Sequence, residues 1–342
     1  MLSVYVFDPT ARDKQSKVRG IGRYLQILKE SLENEFIFTN DLGSIPKDSV
    51  FINPFFNFLQ PPVAFRRLAK KQIAVIHDLI PLKYPTHFPK GLKGNINMLL
   101  NNFSFSNYDT FVTDSEASKK DIIEMLNVPE NKVKIIYPCL PSLFWKKQQI
   151  EDFTKPANKY CLYVGDATWN KNLVNLAKAV KEINVTCVFA GKVFSKETRE
   201  EVRKINNPWL TDFQNFLKYT EEDKRFIFLG YVNDYRLINL YKQSAVNILI
   251  SRDEGFGFSY LEAASQATPT VISDIPVLKE ISTGKGVVVT SPSDPVGVAN
   301  TIGELYFNED KRLTLGIEAQ RQAQLYSADI FRKNWKKLIS TL

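Results

Sequence analysis

Short apolar runs alternate with helical stretches along nearly the whole chain, and this alternation restricts the fold more than any other feature. Runs that are apolar on both faces suit parallel sheets covered by helices better than open sheets with one wet face. The first half offers LSVYVFD at 2–8, a helix from Ile21 to Ser31, and a strand FINP from 51. A basic helix around 62–71 then feeds IAVIHD at 73–78, and a long helix near 94–106 precedes TFVTDS at 110–115. Ser115 is placed to cap the helix that follows, and KVKIIYP at 132–138 closes the half. Residues 146–158 are polar, contain Pro156 and read as a linker.

A second series follows: YCLYVGD at 160–166, a helix at 171–183, VTCVFAG at 185–191, FIFLGY at 226–231 and a helix at 234–243. VNILIS at 246–251, a helix at 258–266, PTVISD at 269–274 and GVVVT at 286–290 complete it. The charged stretch 192–224 is helical but has no assigned place. The expected fold class is α/β, with two Rossmann-like doubly wound domains over 1–145 and 159–324. A terminal helix in 325–342, marked by Ile330, Phe331, Trp335 and Leu338, is expected to pack back on the first domain. Doubly wound sheets bind ligands at the carboxyl ends of their strands, and two facing domains would make a cleft.

The 342 residues exceed one ordinary core and fit two domains of about 150 residues each. Cys139, Cys161 and Cys187 match no zinc or redox spacing and read as buried free thiols. A reducing, cytoplasmic location is expected, since the chain opens on a strand without leader-like regions and no run reaches membrane-spanning length. The formal charge of +8 suits a phosphorylated ligand, a nucleic acid or an anionic lipid surface. No nucleic-acid motif is present. PPVAFRRLAKK at 61–71 reads first as a crossover helix with a solvated basic face, and second as a peripheral contact with the inner face of a membrane.

Four segments carry chemistry. In DEGFGFSYLE, 253–262, Glu254 lies in a strand-to-helix loop whose Gly255 and Gly257 permit close backbone approach, and Glu262 falls about a turn into the helix. The free amides at such a helix start can hold a diphosphate. Glu254 and Glu262 would then meet hydroxyls on either side of it, on a transferred sugar and a ribose respectively. The plainer alternative is a loop with one surface and one capping glutamate. In GDATWNKN, 165–172, Lys171 can aim a compact charge at a diphosphate. Trp169 covers the ligand or, preferably, the domain edge.

VRGIGRY, 18–24, follows a basic loop with Arg12, Lys14 and Lys17, and Gly20 and Gly22 allow close approach to a phosphate or sugar. A third glycine and an acidic ribose clamp are missing, which disfavours a nicotinamide dehydrogenase. His77 and Asp78 end IAVIHD, which makes His77 a better site candidate than His87; it would donate to a sugar hydroxyl or stabilise charge. Two histidines without a third ligand disfavour zinc. Paired carboxylates also serve glycoside hydrolysis, but Glu254 and Glu262 bracket a glycine-rich phosphate-type loop rather than one bond.

GIGRY at 20–24, IHDLIPLKYP at 76–85, YVGDATWNKN at 163–172, EGFGFSYLEA at 254–263 and ISDIPVLKEI at 272–281 together resemble the recurrent blocks of a large family. It is that of the retaining glycosyltransferases with the two-domain B-type (GT-B) fold, family 4, which includes many bacterial mannosyltransferases. The resemblance implies that Glu254 contacts the donor sugar and Glu262 the ribose, that Lys171 binds the diphosphate, and that Gly22 belongs to the loop meeting diphosphate or acceptor. It places His77 against the donor hexose. It implies no cofactor and no metal, a GDP- or UDP-linked sugar donor, and a glycan or polyprenyl-linked saccharide acceptor.

Three departures stand out. The family's arginine shortly before the lysine is absent, with Asp166 nearby, and Arg252, Lys192 or Arg12 are candidates to replace it. Tyr260 stands where proline is common. Ala267 and Thr268 stand where a small residue and glycine are expected. A non-catalytic partner-binding or scaffold relative is therefore the alternative function. A phosphorylase of the same fold would need inorganic phosphate and a pyridoxal phosphate lysine, and this chain is short for one.

Overall fold

Every strand pairing in the computed structural model, which describes residues 2–11, 20–146 and 159–342, is parallel. The chain divides into two compact units, 1–142 with 326–342, and 143–325. Unit 1 runs β1 (Ser3–Phe7), α1 (Gly20–Leu32), β2 (Phe36–Thr39), β3 (Ser49–Asn53), β4 (Lys71–Val75), α2 (Ile80–Lys83), α3 (Gly91–Phe105), β5 (Thr110–Thr113), α4 (Glu116–Leu126) and β6 (Val133–Ile135). Its six-stranded sheet has the order β2-β1-β3-β4-β5-β6. β3 is buried at every position, as a central strand covered on both faces must be. β2 is a four-residue edge strand with one buried position; so short a run leaves little apolar signal, and the sequence reading passes over it.

No helix forms over 62–71. That segment is irregular until β4 starts at Lys71. Pro61 and Pro62 supply no N–H groups, and side chains satisfy the backbone that a helix would otherwise pair. Arg67 donates to the carbonyl oxygens of Ala69, Lys70 and Asn107, while the amides of Leu68 and Ala69 both donate to Gln72 Oε1. Beneath this sheet face, Phe56, Phe58, Phe105, Tyr108 and Phe111 form an aromatic cluster, with Phe105 stacked on Phe111 at 4.4 Å.

Unit 2 runs β7 (Cys161–Val164), α5 (Leu173–Glu182), β8 (Cys187–Ala190), α6 (Lys196–Val202), α7 (Thr211–Tyr219), β9 (Phe226–Gly230), α8 (Asp234–Gln243), β10 (Val246–Leu249), α9 (Phe258–Ser265), β11 (Thr270–Ser273), α10 (Pro276–Ser282), β12 (Val287–Thr290), α11 (Pro295–Phe307) and α12 (Glu309–Ala323). Its sheet order is β12-β11-β10-β7-β8-β9, the dinucleotide-binding order in which the strand sequence reverses between β7 and β10. The charged stretch 192–224 becomes α6 and α7. α7 turns Phe213, Phe216 and Leu217 inward to join Phe189, Phe194 and Phe226 in the core. Cys161 and Cys187 are register partners on β7 and β8, and all three cysteines are buried and free. Burial pushes the Cys139 thiol up to about 12.

The last helix, α13 (Ala328–Ser340), belongs to unit 1 and packs on α1. Trp335 is fully buried, edge-on to Phe36 and Phe331, and Arg332 Nε donates to Ser31 O at 2.7 Å. Ile330 stays exposed. The proposed linker 146–158 and the basic loop with Arg12, Lys14 and Lys17 lie outside the described residues, apart from Lys146.

α9 ends in a Schellman turn: Thr268 N–H reaches Ala263 O and Ala267 N–H reaches Ala264 O, both at 3.0 Å. The left-handed residue is Ala267, φ 56°, so the position that favours glycine is 267 and not 268. Gly316 presses on it, since a Cβ there would stand 2.2 Å from Ala267 O. Ala267 is exposed and loses no packing on truncation. Ala267→Gly is expected to raise the unfolding free energy by about 1 kcal/mol in a urea titration.

Candidate functional site

The reversal between β7 and β10 leaves the loops after these two strands side by side. Lys171 follows β7, Glu254 follows β10, and Lys171 Nζ meets Glu254 Oε1 at 2.6 Å. Both are largely buried. Ser251 Oγ donates to the same carboxylate oxygen at 2.6 Å. The two loops are cross-tied around them. Asn170 Nδ2 donates to Asp253 O, Arg252 N–H donates to Asn170 O, and Asn172 Nδ2 donates to Ile250 O. The lysine and glutamate therefore sit on a rigid double turn.

Gly257 precedes α9 at φ 106°, in the left-handed region, and a Cβ there would lie 2.8 Å from Ile281 and 2.9 Å from Leu278 side-chain atoms. Gly257 has no side chain with which to cap α9, and the Tyr260 N–H donates to Gly257 O at 3.0 Å; a helix start led by glycine lets an anion approach its backbone closely. Glu262 lies buried a turn further on, and Tyr241 OH of α8 donates to its Oε2 at 2.9 Å. Tyr260 is fully buried and its hydroxyl donates to Lys285 O, so it acts in packing.

The candidates for a second cation beside Lys171 are engaged elsewhere, exposed, or outside the described residues. Asp166 accepts from the Ala167 N–H. Arg252 is turned away, with its guanidinium 5.0 Å over the Trp169 ring and 3.3 Å from Asp212. Trp169 thus forms the platform for Arg252. Lys192 is exposed in the short turn after β8, and Arg12 is outside the described residues.

In unit 1, His77 stands just past β4, among groups that follow the neighbouring strands. Its Nδ1 lies 2.6 Å from Asp114 Oδ2, past β5, and its Nε2 lies 3.1 Å from Pro54 O, past β3. The Tyr24 ring meets it edge-on at 4.6 Å, and Phe55 stacks at 6.0 Å. An ionised carboxylate and a carbonyl only accept, so this pair of partners favours the charged ring, with a hydrogen on each nitrogen. Burial works against that charge. The charge and hydrogen bond of Asp114, aided by Asp78 and Pro54 O, outweigh it and raise the His77 pKa. Asp78 itself accepts from Ile80 N–H and starts α2. Gly22 is buried in the first turn of α1, two residues before Tyr24.

The structure thus joins Lys171 to Glu254 and sets Gly257 and Glu262 on the same connection, while His77 and Gly22 belong to unit 1. The sequence reading misses Asp114, Tyr24, Ser251 and Tyr241. Asp114 carries the same signal as His77, a polar residue ending an apolar run; Tyr241 carries none. Among the described residues, no three His, Cys, Asp or Glu side chains gather in a metal-ligating group.

The His77–Asp114 pair gives a pH-dependent prediction. His77 titrates higher in the folded chain than its ordinary 6.5, so the pair's stabilisation is complete below that value. It is lost as pH rises through the raised folded value. Asp114→Asn should cost about 2 kcal/mol near pH 6. The deficit should shrink toward alkaline pH in urea titrations run from about pH 5.5 to about pH 9.

Residues 146–322 match the family model described as glycosyl transferases group 1. The O-antigen chain mannosyltransferase RfbU of Salmonella typhimurium is 28% identical over 66% of this chain and 58% of its own length. O-antigen chain mannosyltransferase B of Escherichia coli is 26% identical over 72% of this chain and 62% of its own. The chain therefore spans less than two thirds of these relatives. Among solved structures, Anabaena HepE in complex with UDP-glucose aligns over 100% of both chains with a TM-score of 0.72 at 15% identity, a likeness of fold.

Proposed function

The chain belongs to the group 1 glycosyl transferases, and we propose that it moves a mannose-like hexose or deoxyhexose from a nucleoside-diphosphate sugar to a glycan or lipid-linked saccharide hydroxyl, with retained configuration. The observation that carries this reading is the Lys171–Glu254 contact at the strand-order reversal, beside the glycine-led start of α9. A diphosphate seated there would draw on Lys171 and the first amides of α9, which offset the charge growing on the leaving group. Glu254, held by Ser251, then turns an oxygen to a sugar hydroxyl. Glu262, oriented by Tyr241, accepts from the ribose. The His77 Nε2 bond to Pro54 O is the longer of its two, and a donor-sugar hydroxyl would share that N–H.

In this reading 159–324 is the donor domain and 1–145, with the helix of 325–342, serves the acceptor. Gly22 lies where the backbone meets the diphosphate or acceptor. The sugar nucleotide would be GDP- or UDP-linked, bound without a metal, in the cytoplasm. The mannosyltransferase relatives and the UDP-glucose complex of HepE support this choice of donor class. The engagement of Arg252 with Trp169 and Asp212 favours one other reading, a non-catalytic partner-binding relative.

Calorimetry with a panel of nucleoside diphosphates and their sugars, without added metal, separates the two. One base should bind well to the native chain. Lys171→Ala and Glu262→Ala should each weaken it at least tenfold, about 1.4 kcal/mol, with folding checked by circular dichroism. A well-folded native chain that binds none of the panel would move the assignment to the partner-binding reading.

A further inference from the structure

α3 is amphipathic in reverse. Its inward face consists of Gly94, Asn97, Asn101 and Ser104, all buried. Asn97 Nδ2 donates to Leu59 O at 2.9 Å, and Asn101 Nδ2 faces the carbonyl oxygens of Asn57, Phe58 and Gln60, 2.6 Å from the last. The helix is thus attached to unit 1 largely through side-chain amides, and its large apolar residues are left outside. Leu92, Ile96, Leu99 and Phe103 are 80, 50, 58 and 67% exposed. Their spacing of four, three and four residues puts them on one stripe. Phe65, 62% exposed, extends the apolar surface near the helix end, where Asn107 Nδ2 donates to Phe65 O.

The segments that carry and flank this stripe are basic. Lys90 and Lys93 lie on the first turn side of α3, and Arg66, Arg67, Lys70 and Lys71 follow Phe65, with no acidic residue in either 65–71 or 90–106. Arg67 is compensated by Asp109, and Lys70 is 3.7 Å from Asp48; Arg66 and Lys93 are exposed. An apolar stripe rimmed by cations matches the interfacial layer of an anionic bilayer, where acyl chains take the apolar residues and headgroups the ammonium and guanidinium groups. A soluble acidic partner would match the rim but not four protruding aliphatic and aromatic side chains in a row.

We propose that the exposed face of α3, with Phe65 and Arg66, is a docking surface for an anionic lipid membrane. It lies on the helix itself and its flanking loop, so it stands or falls separately from the sugar-transfer reading. Such a surface holds the protein at the bilayer without spanning it; no helix among the described residues is long and apolar enough to cross.

The full chain is tested by co-sedimentation with vesicles of phosphatidylcholine alone and of phosphatidylcholine with about one third phosphatidylglycerol. The anionic vesicles should bind at least about tenfold more tightly, and raising the salt should weaken that preference. Leu99→Gln with Phe103→Gln should reduce binding at least about tenfold while the melting temperature is kept, since both side chains are already in water. Arg66→Glu with Lys93→Glu should abolish the preference for anionic vesicles while leaving the fold intact. Absence of native binding would overturn the proposal, as would binding indifferent to the Leu99 and Phe103 substitutions. A native dimer in light scattering that those substitutions dissolve would also overturn it, by giving the face to a second copy of the chain.

Discussion

A parallel sheet forces each connection to cross one of its faces in a right-handed sense, and this constraint governs where the protein can hold chemistry. When the chain stops adding strands on one side and begins on the other, two adjacent strands send their loops to opposite faces and a gap opens above their carboxyl ends. In unit 2 those strands are β7 and β10. Lys171 and Glu254 are 83 residues apart in sequence and touch because of that reversal alone. In unit 1 the carboxyl ends of β3, β4 and β5 bring Pro54, His77 and Asp114 together by the same logic of neighbouring strand ends.

Both sites solve the problem of a desolvated charge in one way. The lysine is answered by a glutamate from another strand end, and the histidine by an aspartate. Such pairs add little net stability, because desolvation consumes most of the attraction, but removing one partner strands the other. Their value is conformational. Glu254 is held by Lys171 and Ser251 together, and His77 by Asp114 and Pro54, so each group keeps one orientation before any ligand arrives.

Much of this was legible in the sequence where one residue's surroundings are local. The apolar runs of β3, β8 and β10 announce central strands, and Ser115 caps α4 through Ser118 N–H as its position suggests. The loop after β10 was readable because glycine at 257 has a backbone requirement visible in one letter. Failures occur where side chains replace backbone partners. The 62–71 segment has helical composition, yet the side chains of Arg67 and Gln72 satisfy its backbone. α3 is legible as an element, but nothing local tells that its asparagines face inward, because the carbonyls they serve lie about forty positions away. Tyr241 at Glu262 and Asp114 at His77 are tertiary contacts that no local pattern encodes.

The return of α13 to unit 1 has a consequence in time. On the ribosome, residues 143–325 emerge after most of unit 1 and before the helix that completes it. The first unit therefore spends the synthesis of the whole second one with the α1 surface that receives Phe331 and Trp335 uncovered. Unit 2 can close from contiguous sequence as it leaves the tunnel, whereas unit 1 must wait for α13 to emerge. The nascent chain thus carries an open apolar seat beside Tyr24 and Phe36 until α13 arrives to fill it.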